Sequence, residues 1–316
     1  MDIKQQISKR KRVISVSILV LLVGIIIYDL YREEQEDIEE YYVEKVLAKA
    51  PRNLNAEAIH KILKKIDNEQ NFSFVVLGDS QRRFKTFRKV VKEALKHKPD
   101  FIINTGDMTG SGKYHQYVEF INELKKIDAP VISIIGNHDD NNLGAQCFAH
   151  IFGPHNFYFS INDFLFVFLD NNENNTVMDF VELGDPASLR KSFEFEDGFD
   201  DHQIEQLAML LKKGKQAFIS MHKPPPIEPF QFHCFHRNSS SFLELMRRFK
   251  DTVEYVFSGH IHGYAETSYD DNTYVVTGGS GADLVDDRKG ITGKYNYILV
   301  NVAGEKVDRT VYFPET

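Results

Sequence analysis

The sequence predicts an α/β fold with mixed sheets, preceded by one N-terminal transmembrane helix. Apolar runs at 72–77, 101–104, 131–135, 217–220 and 253–257 are rich in β-branched and aromatic residues, and helical periodicity at 83–97 and 116–126 separates the earlier ones. Strands that are apolar at every position, not at alternate ones, belong to sheets covered on both faces. The hairpin-like pair 157–161 and 164–169, with later runs near 273–277 and 295–302, adds antiparallel pieces.

The N-terminal segment is read from charge and hydropathy. Residues 1–12 carry Lys4, Lys9, Arg10, Lys11 and Arg12 against Asp2 alone, and an apolar run follows from Val13 to Tyr28. With Leu30 and Tyr31 the run reaches the ~17–25 residues that span a bilayer. No small-residue cleavage pattern follows it, and an acidic stretch, Glu33 to Glu40, does. These features predict a cytoplasmic basic segment over 1–12, an uncleaved signal anchor over 13–31 and an extracytoplasmic remainder. Residues 32–70 read as a helical stalk broken at Pro51, either a spacer or a helix packed on the domain predicted for 71–316.

Composition narrows the function classes. With 316 residues, 42% hydrophobic and 27% charged, the chain has ample material for a core, which excludes disordered, collagenous and low-complexity classes. Two cysteines, Cys147 and Cys234, cannot form a disulfide framework or a zinc ribbon, although a single exported bridge stays open. The net charge is −8 even with the basic leader included, so the body is strongly acidic and no nucleic-acid partner is expected.

Five of the apolar runs end in residues able to hold a metal: Asp79 in Gly78-Asp79-Ser80-Gln81, Asp107 in Gly106-Asp107, Asn137 in Gly136-Asn137-His138-Asp139, His222 in Met221-His222-Lys223, and His260 and His262 in Gly259-His260-Ile261-His262. Ligands gather at the carboxyl ends of strands in open α/β sheets, and glycine before four of these residues suits a backbone that turns tightly beside a site. A lone Gly-Asp is usually a turn and a lone buried His a core residue; five such endings in one chain point to a metal centre. Carboxylate and amide oxygens mixed with imidazoles suit Mn²⁺, Fe or Zn²⁺ better than thiolate-preferring ions.

From about Phe72 to Phe313 the motifs, in this order, resemble the calcineurin-like metallophosphoesterase superfamily, and the Gly-rich Thr277 to Ala282 is similar to a stretch found in many bacterial members. The resemblance implies a four-layer α/β/β/α sandwich of two mixed sheets with two divalent metal ions (Mn, Fe or Zn) between the strand ends. It implies that Asp79, Asp107 and His262 hold the first ion, that Asp107 bridges, and that Asn137, His222 and His260 complete the second. Gln81 stands where the first motif usually carries a histidine, as a weaker neutral donor to the first site. His138 is implied as the non-ligand histidine at the leaving group, oriented by a nearby carboxylate, with Asp139 as its catalytic companion. The implied reaction is hydrolysis of phosphomonoesters or phosphodiesters by a hydroxide activated between the two ions.

Arg82, after the first motif, and Arg237, in the loop holding His233 and His236, are the candidate substrate contacts. Two alternatives stay open: a hydrolase of lipid-linked phosphates or pyrophosphates at the membrane surface, suggested by the apolar loop 224–235, and a catalytically weak scaffold, suggested by Gln81.

Overall fold

The computed structural model describes residues 45, 47–66, 69–172, 181–182 and 197–315. The basic segment 1–12 and the span 13–31 lie outside them, and among the described residues no helix is long and apolar enough to cross a membrane. The chain divides into two compact units, Met1–Ala50 and Pro51–Thr316. Of the first, the described residues show a helix end in which Ala50 N–H donates to Leu47 O at 2.9 Å.

The second unit opens with α1 (Leu54–Lys65), β1 (Asn71–Leu77), α2 (Phe84–Leu95), β2 (Phe101–Asn104), α3 (Tyr114–Leu124), β3 (Val131–Ser133) and α4 (Gly144–Ile151). There follow β4 (Phe157–Ile161), β5 (Phe164–Leu169), β6 (Val181–Glu182), α5 (Asp201–Leu211), β7 (Gln216–Met221), α6 (Ser239–Arg248) and β8 (Val253–Ser258). The last strands are β9 (Tyr264–Tyr269), β10 (Asn272–Thr277), β11 (Ile291–Thr292), β12 (Tyr297–Ala303) and β13 (Lys306–Tyr312). One sheet has the order β13-β12-β1-β2-β3 and the other β11-β9-β10-β8-β7-β5-β4-β6. Parallel pairing runs through β1-β2-β3 and through β5-β7-β8-β10, with antiparallel strands outside them. Both sheets are therefore mixed, as expected.

Strand periodicity sorts the core into two parts. Phe164, Phe166 and Phe168 of β5 and Phe218 of β7 join Phe74 of β1 and Phe101 of β2 in one buried cluster. Phe74 lies 5.1 Å from Phe101 on its own sheet and 5.1 Å from Phe218 on the other, so the rings interlock between the sheets. The alternate residues Leu165, Val167, Leu169, Ala217, Ile219 and Met221 join a second cluster with Leu207 of α5 and Phe242 of α6. Side chains two apart share a face, so the aromatic face meets the opposite sheet and the aliphatic face meets helices. A capping box starts α5: Gln203 N–H donates to the Asp200 carboxylate at 2.6 Å and Asp200 N–H to Gln203 Oε1 at 2.9 Å.

Two points that the sequence left open take a definite form among the described residues. Of the two readings for residues 32–70, α1 follows the second, a helix packed on the domain. It buries Ala58, Ile59 and Ile62 in the inter-sheet cluster. Its Asn55 amide donates to Ser133 O at 2.8 Å and accepts from Ser133 N–H at 2.9 Å, which covers the edge strand β3. Cys147 and Cys234 are both buried and form no disulfide.

An ion cluster ties α2 to α3. Arg88 forks onto the buried Glu123 at 2.6 and 2.7 Å, and Lys126 reaches the same carboxylate at 2.7 Å. The Arg88 hydrogen bonds foremost hold this carboxyl down to about 2. A depressed carboxyl contributes stability above its ordinary range and loses it as pH falls toward the folded value. Since both cations are more than half exposed, screening discounts the effect, and Glu123→Gln is expected to cost about 1–2 kcal/mol at neutral pH. Urea melts at several pH values check this; the gap should close as pH falls from 4.5 toward 2, and a pH-independent gap would assign the loss to packing.

Candidate metal centre and active site

At three strand ends the chain turns at once, with Asp79 (φ 60°), Asp107 (φ 54°) and His260 (φ 67°) in the left-handed region. That conformation costs a non-glycine residue about 1–3 kcal/mol and persists where the surroundings overdetermine it. The neighbouring glycines supply the room. A Cβ on Gly136 would fall on Asp107 Oδ1, and one on Gly106 (φ 99°) would meet His222 Nδ1 at 2.8 Å.

The structure brings the predicted donors together. Asn137 Oδ1 stands 2.9 Å from His222 Nε2 and 2.8 Å from His260 Nδ1, and the two ring nitrogens are 3.3 Å apart. Asp107 Oδ1 is 3.3 Å from the same His222 nitrogen. The other His222 nitrogen, Nδ1, donates to Thr105 O at 2.8 Å, which leaves Nε2 with a bare lone pair when the ring is neutral. Burial lowers the His222 pKa; burial and then the nearby His222 lower that of His260, which favours the neutral ring at both. Asn137 Oδ1, Asp107 Oδ1 and His222 Nε2 are thus acceptors converging with no proton between them. Ligand atoms about 2.0–2.2 Å from one ion lie about 3–3.5 Å apart, so this donor set fits a divalent cation.

On the other side of Asp107, His262 Nδ1 donates to Asp283 O at 2.9 Å and its Nε2 faces Asp79 Oδ1 at 3.7 Å. Asp79 accepts the His260 N–H at 2.9 Å. Burial foremost, and then the Asp107 charge, push the Asp79 carboxyl well above the ordinary range. A buried carboxylate whose charge is disfavoured by a neighbouring one is stabilised by a cation between the two. One atom from each of Asp79, Asp107 and His222 falls within a 4.8 Å cluster.

Gln81 takes a different place from the one expected. Its Nε2 donates to Asp107 Oδ2 at 3.0 Å and lies 3.2 Å from His262 Nε2. It is a donor to two metal-site side chains, and only Oε1, turned the other way, could be a ligand. The partner that orients His138 also differs. Its Nδ1 donates to Gly110 O at 3.0 Å, so a backbone carbonyl, not a carboxylate, sets the ring, and Nε2 stands 4.0 Å from Asp107 Oδ2. Asp139 is fully buried and accepts N–H bonds from Met108, Thr109 and Gly136 at 3.3, 2.8 and 3.0 Å. It ties the turn after Asp107 to the turn before Asn137 and so positions both.

Arg82 forks onto Glu119 at 2.8 and 3.1 Å, so its guanidinium is engaged away from the donors. Arg237 pairs through its backbone, donating to Asp197 O at 2.9 Å and accepting from Phe199 N–H at 3.2 Å, which anchors the loop after His222. Sequence reasoning left His233 as one loop residue among several, but its ring lies edge-on to His260, with centroids 5.8 Å apart. Burial, then the Arg288 and His262 charges, lower its pKa. Lys223 was not singled out either; its buried ammonium pairs with Asp197 at 3.0 Å beside His222.

The family profile described as calcineurin-like phosphoesterase matches residues 72–264. The chain is 26% identical over 183 residues to a "Probable glycerophosphodiester phosphodiesterase" of Arcobacter nitrofigilis, covering 55% of this chain and 60% of that protein. It is 26% identical over 166 residues to a "Probable cyclic nucleotide phosphodiesterase" of Xenorhabdus bovienii, covering 52% and 61%. The chain thus spans about three fifths of the length of these curated relatives. A dimetal phosphatase from Danio rerio shares the fold with a TM-score of 0.53 at 15% identity, over 77% of this chain and 99% of that one. All the converging donors, from Asp79 to His262, fall inside the matched segment, and the chain belongs to the calcineurin-like phosphoesterase family.

Proposed function

We propose that the protein is a metal-dependent hydrolase of phosphomonoesters or phosphodiesters, held at a membrane by its N-terminal helix. The observation that carries the reading is the convergence of Asn137, Asp107 and His222 lone pairs with no proton among them. Asp79, Asp107 and His262 would hold one divalent ion, and Asp107, Asn137, His222 and His260 the other, with Mn²⁺, Fe and Zn²⁺ all suited to the donors. Two such ions supply Lewis acidity to the phosphoryl oxygens and lower the pKa of a bound water. Thr105 O and Asp283 O fix the ring tautomers so that the other ring nitrogens keep lone pairs with which they would hold the ions. His138, outside the ligand set and partly exposed, is placed to give a proton to the departing oxygen. The phosphodiesterase names of the curated relatives support the ester class. A full set of donors weighs against an inactive scaffold.

Chelation is the direct test. Stripping the purified full chain with EDTA should reduce hydrolysis of 4-nitrophenyl phosphate and bis(4-nitrophenyl) phosphate to background, and Mn²⁺ should restore it. Undiminished turnover with undetectable metal would sink the proposal.

The anchoring rests on charge: a basic segment, an apolar run and an acidic stretch in that order. Protease added to spheroplasts should digest the domain and spare the N-terminal segment. Protection of the domain until the membrane is breached would place it on the cytoplasmic side.

A further inference from the structure

The loop after His222 is built as a rigid finger with one apolar side chain left outside. Ile227, Phe230 and Phe235 are 4%, 0% and 0% exposed, whereas Phe232 is 75% exposed, the most of any large apolar residue among those described. A turn holds the tip: Phe230 N–H donates to Ile227 O at 2.6 Å, and His233 N–H to Phe230 O at 2.9 Å. Phe235 N–H donates back to Pro224 O at 3.1 Å and closes the loop. A second loop supports it, since a Cβ on Gly290 would meet Pro229 at 2.9 Å. The next residue after Phe232, His233, lies against His260 of the metal centre, and adjacent Cα atoms are only ~3.8 Å apart.

A lone exposed apolar side chain is usually unremarkable. This one differs because its loop buries Ile227, Phe230 and Phe235 around it and its sequence neighbour packs on a metal-site histidine. We propose that Phe232 is the specificity-determining contact for a planar aromatic group esterified to the phosphate, such as a nucleobase-bearing or aryl alcohol. The inference rests on the phosphoesterase reading and narrows its substrate class. An acyl chain would need a continuous apolar track, and with Ile227, Phe230 and Phe235 buried none leads away from Phe232 along the described residues of this loop. One exposed ring matches one stacked ring, and stacking tolerates any planar partner.

The test uses the full chain loaded with Mn²⁺ and two ligands: inorganic phosphate, and a carbon-linked adenosine phosphonate that cannot be hydrolysed. Calorimetry should show the wild type binding the phosphonate more tightly than phosphate. Phe232→Ala should weaken the phosphonate about tenfold more than it weakens phosphate, and Phe232→Tyr should recover most of the loss. In turnover, Phe232→Ala should raise KM for adenosine 5′-phosphate about tenfold more than for glycerol 3-phosphate. Equal losses on both ligands would overturn the inference, as would a wild type with no preference for the phosphonate. A larger Phe232→Ala loss on dioctanoyl phosphatidate than on the adenosine ester would overturn it in favour of a lipid. Binding with the expected preference but no hydrolysis of any ester would sink the phosphoesterase reading and leave the aromatic contact standing.

Discussion

Asp107→Asn is expected to reduce turnover by about 10³-fold or more, since several kcal/mol of transition-state stabilisation depend on both ions being seated. The carboxylate is 1% exposed, and each oxygen serves a different side of the centre. Oδ1 accepts the His138 N–H at 2.9 Å and lies 3.3 Å from His222 Nε2, while Oδ2 accepts from Gln81 Nε2 at 3.0 Å. An asparagine keeps the volume but must put an NH₂ on one side or the other. On the first side it opposes the His138 N–H; on the second it faces Gln81, whose amide must turn over to present Oε1 and so gives up its hold on the centre. It also removes the one charge that both ions would share. Metal analysis beside turnover checks this, with fewer than two ions per chain expected at activity-restoring Mn²⁺. Misfolding is separable: burial, then the Asp107 charge, raise the Asp79 and Asp139 carboxyls, so removing that charge should leave the metal-free variant at least as stable as the wild type. A fully metallated variant with near wild-type rate would show that Asp107 does not bridge.

The residues that bear donors were legible because each follows an apolar run that reads as a strand, and strand ends are where an α/β sheet exposes backbone and binds ligands. The hairpin Phe157–Ile161 and Phe164–Leu169 matches its predicted bounds, since turn residues flank two dense aromatic runs. The run 131–135 keeps only Val131–Ser133 as strand. Ile134 still donates to Asn104 O at 3.0 Å, but the chain is already bending toward Gly136 to reach Asp107. What sets the histidines was not legible. Thr105 O, Gly110 O and Asp283 O orient His222, His138 and His262, and a backbone carbonyl is available at every position, so nothing in the residue type marks it. Arg82 misled for a related reason, because a guanidinium near a phosphate site and one paired with a neighbouring helix look alike until Glu119 is placed. The membership of α1 was hidden by Pro51, which reads as the break in a longer helical pattern, whereas the face of Ala58, Ile59 and Ile62 is what joins it to the core.

His138→Ala should keep the metal content and lose rate in a way that depends on the leaving group. The ring lies outside the converging donors: Nδ1 is committed to Gly110 O, and Nε2 stands 4.0 Å from Asp107 Oδ2 with the side chain 38% exposed. What links His138 to the centre is its backbone N–H, which donates to Asp107 Oδ1 at 2.9 Å and survives truncation to alanine. The carboxylate proposed to bridge therefore stays seated. With Nδ1–H donating to a carbonyl, the protonated ring has Nε2–H free to reach an alkoxide as it departs. An alkyl ester needs that proton and should slow by about 10²–10⁴-fold; an aryl ester with a low leaving-group pKa should slow clearly less. His260→Ala should behave in the opposite manner. Its Nδ1 is one corner of the triangle with Asn137 and His222, so the loss should deplete one ion and impair both esters alike. Steady-state kinetics on methyl and 4-nitrophenyl phosphoesters, with metal analysis of each variant, separates the two. Should His138→Ala shed metal, or slow both esters by one factor, the ring is a ligand or a fixed charge and some other group must protonate the alkoxide.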